Sequence, residues 1–334
     1  MATIKDVAEA AQVSIGTVSK YINGIHIREK NRASIEKAIE ALGYRINPTA
    51  QALKTNRTRS VAIMLPSITS AYSPRIISQI EATLSEFGYT VMIMDTHGDH
   101  ELEGRKIEMM LDRRVDGFVV FPIDQDGRNY RRILDSGVPM CLVDTRMSDL
   151  PCVQVLSENA GATRAATEML LDEGHTHIGI ITGNAENATA MERLQGYREA
   201  LLQRGVAVEE SLIEMVPDFS EKGGYQSAMR LMRSKDRPTA ILVCNFYTTL
   251  GATCALMDLG LEFGREIRVV GFDYERLPRI ARRPMGIITQ AIQQIGEVVA
   301  QSLLKQMNGE AHTEVIRIPT QYAEWTMETI LQTR

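Results

Sequence analysis

Three polar residues close strand-like runs of this sequence. Asp144 follows Met140–Val143, Asn245 follows Ala240–Cys244, and Asp273 ends Ile267–Asp273. Where such strands are parallel, ligands bind in the crevice beyond their carboxyl ends. Carboxylates and carboxamides placed there hydrogen-bond in pairs to vicinal hydroxyls, and an aromatic face covers the apolar side of a sugar ring. Tyr72, Phe121 and Phe219 are the aromatic candidates. Asp144 and Asp273 also fit the acid/base pair of a glycoside-cleaving enzyme. A second polar set suits a different target. Thr17, Ser19 and Lys20 are compact donors on one short helical segment, with Asn23 at its end. Such groups reach phosphate oxygens and base edges without long side chains. An ordinary solvated helix face has the same composition, so the pattern alone leaves both readings open.

Other chemistries lack their spacing. His97-Gly-Asp-His-Glu101 has the residue types of a metal site but matches no zinc motif, and reads as a polar loop. No Gly-x-Gly-x-x-Gly follows a strand, and there is no Walker A sequence and no Gly-x-Ser-x-Gly elbow. Cys141, Cys152, Cys244 and Cys254 show no Cys-x-x-Cys spacing, which argues against a zinc ribbon or a disulfide framework. Neither cofactor nor metal is expected.

The elements that position these residues are legible. Thr3 to Ala11 predicts a short helix with Thr3 as N-cap, Asp6 in the first turn, and Ile4, Val7, Ala8 and Ala11 on one face. Ser14 caps a second helix carrying Ile15, Val18 and Ile22. The connection, Gln12 to Ser14, is so short that the two helices must cross steeply, as in a helix-turn-helix. A third helix, Glu29 to Leu42, ends at Gly43, a left-handed cap. Asn47-Pro48 opens a segment of good helix formers to Lys54, too short to be stable alone. From Ser60, strands at Val61–Leu65, Thr90–Asp95, Gly117–Phe121 and Met140–Val143 alternate with helices over 74–87, 102–113 and 127–136. The rhythm restarts at His177–Thr182 and continues through Leu212–Val216, Ala240–Cys244, Ile267–Asp273 and Gly286–Thr289. It predicts two α/β lobes with parallel sheets.

The 334 residues suffice for two or three domains, and 44% hydrophobic with 24% charged residues excludes the disordered and collagenous classes. No apolar run reaches a membrane span, and Met-Ala-Thr-Ile-Lys-Asp does not begin a signal peptide, so a cytoplasmic protein is expected. Ten of the 37 Lys/Arg but only five of the 42 Asp/Glu precede Ser60. A basic head on an acidic body suggests that the head meets a polyanion.

Ala2-Thr-Ile-Lys-Asp-Val-Ala-Glu-Ala-Ala, Val13-Ser-Ile-Gly-Thr-Val-Ser-Lys with Asn23-Gly24, and Ala41-Leu-Gly-Tyr-Arg-Ile-Asn-Pro-Thr-Ala-Gln-Ala-Leu53 closely resemble the head of the LacI/GalR (lac repressor) family, and the resemblance continues through the chain. It implies a helix-turn-helix head over 1–46, a hinge helix and linker over 47–59, and over 60–334 a two-lobed body like periplasmic sugar-binding proteins. Three crossovers are placed near Asn159, Gln290 and Gln321, giving lobe one 60–159 and 291–321 and lobe two 160–290 and 322–334. By resemblance, Ile15, Gly16 and Lys20 read bases in the major groove, Ser14, Thr17, Ser19 and Asn23 hold phosphates, and Leu53 of the hinge helix wedges into the minor groove. By the same resemblance Arg193, in Glu192-Arg-Leu-Gln-Gly196, clamps the effector, Asp273 accepts its hydroxyls, Asn245 contacts it, and Thr189 and Gln290 are weaker candidates.

Several residues depart from the family pattern. Gln12 replaces the turn glycine, at a cost on the order of 1 kcal/mol if it is left-handed. Gly16 offers no side chain to a base and costs about 1 kcal/mol of helix propensity relative to Ala. Phe246 replaces the carboxylate of the usual Asn-Asp pair, and Ser73 stands where a second aromatic often sits. The resulting expectation is a dimeric repressor on a palindromic double-stranded DNA operator, modulated by a sugar or sugar derivative between the lobes. Met327, Ile330 and Leu331 supply one apolar turn, too little for the heptad helix that tetrameric relatives append. The rival classes are a sugar-acting enzyme and a transport binding protein.

Overall fold

The computed structural model describes residues 2–22, 25–44, 57–123, 126–310 and 313–332; Asn23 and the expected hinge helix Asn47–Lys54 with its Leu53 lie outside them. The chain divides into two compact units, Met1–Arg59 and Ser60–Arg334.

The first unit holds α1 (Ile4–Ala10), α2 (Ile15–Ile22) and α3 (Glu29–Leu42). Thr3 and Asp6 form a reciprocal capping box, the Thr3 N–H donating to Asp6 Oδ2 at 2.7 Å. The chain leaves α1 through Gln12 at φ 54°, and the Val13 N–H donates to Ala8 O at 3.0 Å, the closure of a Schellman turn on a non-glycine residue. Ser14 Oγ accepts from the Thr17 N–H at 3.1 Å and caps α2, while Gly43 at φ 55° ends α3. Val7, Ala8, Ala11, Val18, Ile35 and Ala38 close a small core. Ile15 stays out of it, 45% exposed.

In the second unit, lobe one begins with β1 (Ser60–Leu65), α4 (Ser73–Glu86), β2 (Thr90–Asp95), α5 (His100–Asp112), β3 (Gly117–Val120), α6 (Arg128–Asp135), β4 (Met140–Val143) and β5 (Val153–Ser157). Lobe two follows with α7 (Asn159–Asp172), β6 (Ile178–Thr182), α8 (Ala188–Gln203), β7 (Ile213–Met215), α9 (Glu221–Arg233), β8 (Ala240–Val243), α10 (Phe246–Asp258), β9 (Arg268–Phe272), α11 (Leu277–Ala281) and β10 (Met285–Gln290). The chain returns to lobe one for α12 (Ile292–Met307) and β11 (Val315–Ile318), then crosses again into β12 (Thr320–Trp325) and α13 (Met327–Gln332).

Lobe one has the strand order β11-β5-β4-β3-β1-β2, all parallel. Lobe two has β12-β10-β9-β8-β6-β7, parallel except that β12 runs antiparallel to β10. Helices cover both faces of each sheet, so central strands are apolar throughout. On β1, Val61, Ile63 and Leu65 enter one core while Ala62 and Met64 enter the other. On β8, Ile241 and Val243 part from Ala240 and Leu242 in the same way.

Strands β5 and β12 were not legible as strand-like runs. β5 carries Gln154 in an apolar stretch, and its buried carboxamide is satisfied by the preceding loop, accepting from the Met147 N–H at 2.8 Å and donating to Met147 O at 2.7 Å. β12 is an edge strand and half polar. Because β11 ends at Ile318 and β12 begins at Thr320, the third crossover falls at Pro319, ahead of the expected Gln321.

Candidate interlobe cleft and nucleic-acid interface

Loops at the carboxyl ends of strands from both lobes enclose a cavity of about 480 Å³. Tyr72, Asp144, Thr189, Arg193, Phe219, Asn245, Asp273 and Gln290 all line it. Phe121 does not: it packs in the lobe-one core, 4% exposed, on the same face as Val119 two residues earlier. The strand alternation that buries Val119 buries it as well.

Arg193 lies one turn before Gly196 on α8. A Cβ on Gly196 would stand 2.1 Å from Ala160 O, so only glycine lets α8 approach α7 this closely. That approach brings Arg193 Nε to Asn159 Oδ1 at 2.9 Å, while Nη1 donates to Cys244 O at 2.5 Å and the guanidinium lies 4.3 Å from the Phe272 ring centroid. Asp273 and Asp144 each follow a strand in the left-handed region, at φ 63° and 71°, which Asp tolerates better than most residues. Asp273 accepts from the Gln290 N–H at 3.2 Å and from Gln290 Nε2 at 2.8 Å. Burial pushes both carboxyls above their ordinary pKa, and the positive charge of Arg193 opposes the rise. Asp144 Oδ1 and Tyr72 Oη are buried and make no hydrogen bond of good geometry, although the Asp144 and Tyr72 side chains lie within reach of one another and Tyr72 within reach of Ser157.

Asn245 has a local duty too: its Oδ1 accepts from the Tyr247 N–H at 2.9 Å and caps α10. Phe246 stacks on Tyr274, centroids 4.5 Å apart. Phe219, at φ 49°, lays its ring over Gly183, where a Cβ would meet it at 2.3 Å. Hydrogen bonds join the lobes across or beside the cleft, among them Thr189 Oγ1 to Asp144 O at 3.1 Å, Tyr247 Oη to Thr69 O at 3.0 Å, and Ser157 Oγ to Gln290 Oε1 at 2.6 Å. Sequence reasoning missed Tyr247, whose position in the first turn after the strand-end Asn245 was the available signal.

In the head, Ser14, Ile15, Gly16 and Lys20 are exposed, and Thr17 and Ser19 are half-buried. Ser14 Oγ also hydrogen-bonds Thr17 Oγ1 at 2.9 Å. A Cβ on Gly16 would meet only Ser14 Oγ at 3.7 Å, so the packing of the head does not require glycine there. Among the described residues no three His, Cys, Asp or Glu side chains are placed to hold a metal, and His97 Nδ1 sits 3.2 Å from Asp95 Oδ1. No helix among them is long and apolar enough to cross a membrane.

Residues 3–47 match the family of bacterial regulatory proteins called lacI, and residues 58–326 match the periplasmic binding proteins and sugar binding domain of the LacI family. The chain is 28% identical over 324 residues to the ribose operon repressor of Haemophilus influenzae, covering 96% of this chain and 97% of that one. It is 31% identical over 316 residues to the HTH-type transcriptional repressor PurR of Edwardsiella ictaluri, covering 93% and 92%. Among solved structures, the lac repressor dimer bound to operator and the anti-inducer ONPF superposes with a TM-score of 0.86 at 26% identity, over 98% of this chain and 99% of that one.

Proposed function

The chain belongs to the LacI family of bacterial transcriptional regulators, and we propose that a small polyhydroxylated metabolite, a sugar or sugar derivative, sets its operator affinity from the cleft between the lobes. The observation that carries this reading is the pair of buried, poorly satisfied atoms, Asp144 Oδ1 and Tyr72 Oη, beside Arg193. A buried polar group left unpaired costs about 1–3 kcal/mol, and a ligand hydroxyl that donates to one and accepts from the other removes that cost. Arg193 has committed Nε and Nη1 to the protein, which leaves Nη2 for the ligand. Asp144 and Asp273 accept ligand hydroxyls, the Asn245 amide nitrogen donates, Thr189 and Gln290 flank them, and Tyr72 and Phe219 cover the ring. The metabolite is bound and not converted.

In the head, Ile15, Gly16 and Lys20 face base edges, Ser14, Thr17, Ser19 and Asn23 hold phosphates, and Leu53 wedges into the minor groove. The open space around Gly16 supports close approach of the α2 backbone to DNA. Two copies of the chain read a palindrome in the cytoplasm. A ligand that changes the lobe angle changes the separation of the two hinge segments, and a tenfold preference for one state shifts operator affinity by about 1.4 kcal/mol per site.

A thermal-shift screen of sugars, sugar acids, sugar phosphates and nucleobases tests this. A neutral sugar or a derivative is expected to raise the melting temperature, and Arg193→Ala and Asp273→Ala to abolish the rise while ligand-free binding to an operator fragment persists. Undiminished binding in both variants puts the effector site elsewhere, and appearance of a product makes the protein an enzyme.

A further inference from the structure

Behind the cleft, the arginine that faces it is wired to the other lobe. Asn159 starts α7 at the first crossover and is fully buried; its Oδ1 accepts from Arg193 Nε at 2.9 Å. The same carboxamide donates through Nδ2 to Glu192 Oε2 at 3.2 Å and to Ser157 O at 3.3 Å. Glu192 in turn receives Arg317, Nη2 to Oε1 at 2.9 Å and Nη1 to Oε2 at 3.5 Å. Arg317 belongs to β11 of lobe one, two residues before the third crossover at Pro319. The chain Arg193–Asn159–Glu192–Arg317 therefore starts in lobe two and ends in lobe one, and it runs beside two of the three segments that connect the lobes.

We propose that Glu192 and Arg317 are positioning residues for Arg193: the ion pair fixes the Asn159 carboxamide, and the carboxamide fixes the orientation in which Arg193 meets the ligand. Three features support this. A carboxamide accepts through one end and donates through the other, so holding Nδ2 between Glu192 and Ser157 O determines which end faces Arg193, and of these two acceptors only Glu192 is a side chain tied to the other lobe. The pair is a two-pronged guanidinium–carboxylate contact, which specifies geometry as well as charge. Its side chains are only 31% and 23% exposed, for Arg317 and Glu192, which limits screening by solvent. The hydrogen bonds named above that cross between the lobes near the cleft join neutral groups. Because Arg317 stands next to a crossover, rotation of the lobes displaces it little. The wiring thus holds Arg193 in position through opening and closing and lets a pull on its guanidinium reach β11. Neither Glu192 nor Arg317 lines the cavity.

The inference rests on the cleft being the effector site, but its test uses no ligand, so either can fail without the other. In the full-length protein, labelled with ¹⁵N, the arginine Nε–H signals are recorded, and that of Arg193 is identified by its loss in Arg193→Lys. Its exchange with solvent is then measured in Arg317→Ala, in Arg317→Lys, which keeps the charge without the fork, and in Arg164→Ala. The last removes an exposed pair with Glu168 on α7 and serves as the control. The expected result is at least fivefold faster exchange in Arg317→Ala, an intermediate rate in Arg317→Lys and the parent rate in Arg164→Ala. An unchanged rate in Arg317→Ala, or equal acceleration in Arg164→Ala, overturns the proposal.

Discussion

The candidate DNA-reading surface and the interlobe cleft use the same residue types under opposite conditions. On α2, Ser14, Ile15, Gly16 and Lys20 come from one short stretch of chain and stand exposed. In the cleft, polar groups arrive from loops after six strands and from β10; Thr189, Arg193 and Gln290 are buried, Asp144, Asn245 and Asp273 half-buried, and most are already bonded to protein. An exposed polar side chain forgoes little by waiting in water for its partner. A buried one must be satisfied or leave a cost, and in the cleft that cost remains at Asp144 Oδ1 and Tyr72 Oη. The difference teaches that the head is positioned by its own small core and the cleft by the whole body, so each half should fail alone.

The largest separation is expected from Ile35→Ala. Ile35 is fully buried in the head core, and its truncation costs about 3 kcal/mol, within the range for buried Ile→Ala. In a unit this small, DNA binding should be lost in a gel shift while calorimetric ligand affinity is unchanged; loss of both breaks the comparison. Arg193→Ala is the converse. It should weaken ligand binding at least 100-fold, about 2.7 kcal/mol, with salt-dependent binding to non-specific DNA retained.

Smaller effects sharpen the contrast. Gln12 carries a left-handed backbone, so Gln12→Gly should stabilise the head by about 0.5–1 kcal/mol in chemical denaturation. Asp144→Asn keeps a residue that tolerates φ 71° and removes a buried charge. The sign follows from the raised folded-state pKa: ionisation penalises the folded protein at neutral pH, and the penalty disappears as pH falls through that pKa. Asp144→Asn should therefore raise the melting temperature by about 2 °C at pH 7, shrinking towards acid, while ligand affinity falls. A temperature advantage that does not change with pH refutes the burial of a charged Asp144.

Much of the molecule was legible in its residues because the rules concerned are local. The capping box of Thr3 and Asp6, the Ser14 cap and the left-handed Gly43 follow from side chains within reach of their own backbone. The apolar runs of β1 and β8 declare strands buried on both faces, and the βα rhythm declares two lobes. Asp144, Asn245 and Asp273 were readable as strand-end residues for the same reason. Tertiary structure decided which candidates meet. It sent Phe121 into the core with Val119, gave Asn245 a capping duty, placed β12 antiparallel at an edge, and tied Arg193 to Arg317 across the lobes. Periodicity fixes the face on which a side chain emerges. What stands opposite that face depends on strand order and on three crossovers between distant segments, and those pairings are set by packing of the whole body rather than by any repeat within reach of one element.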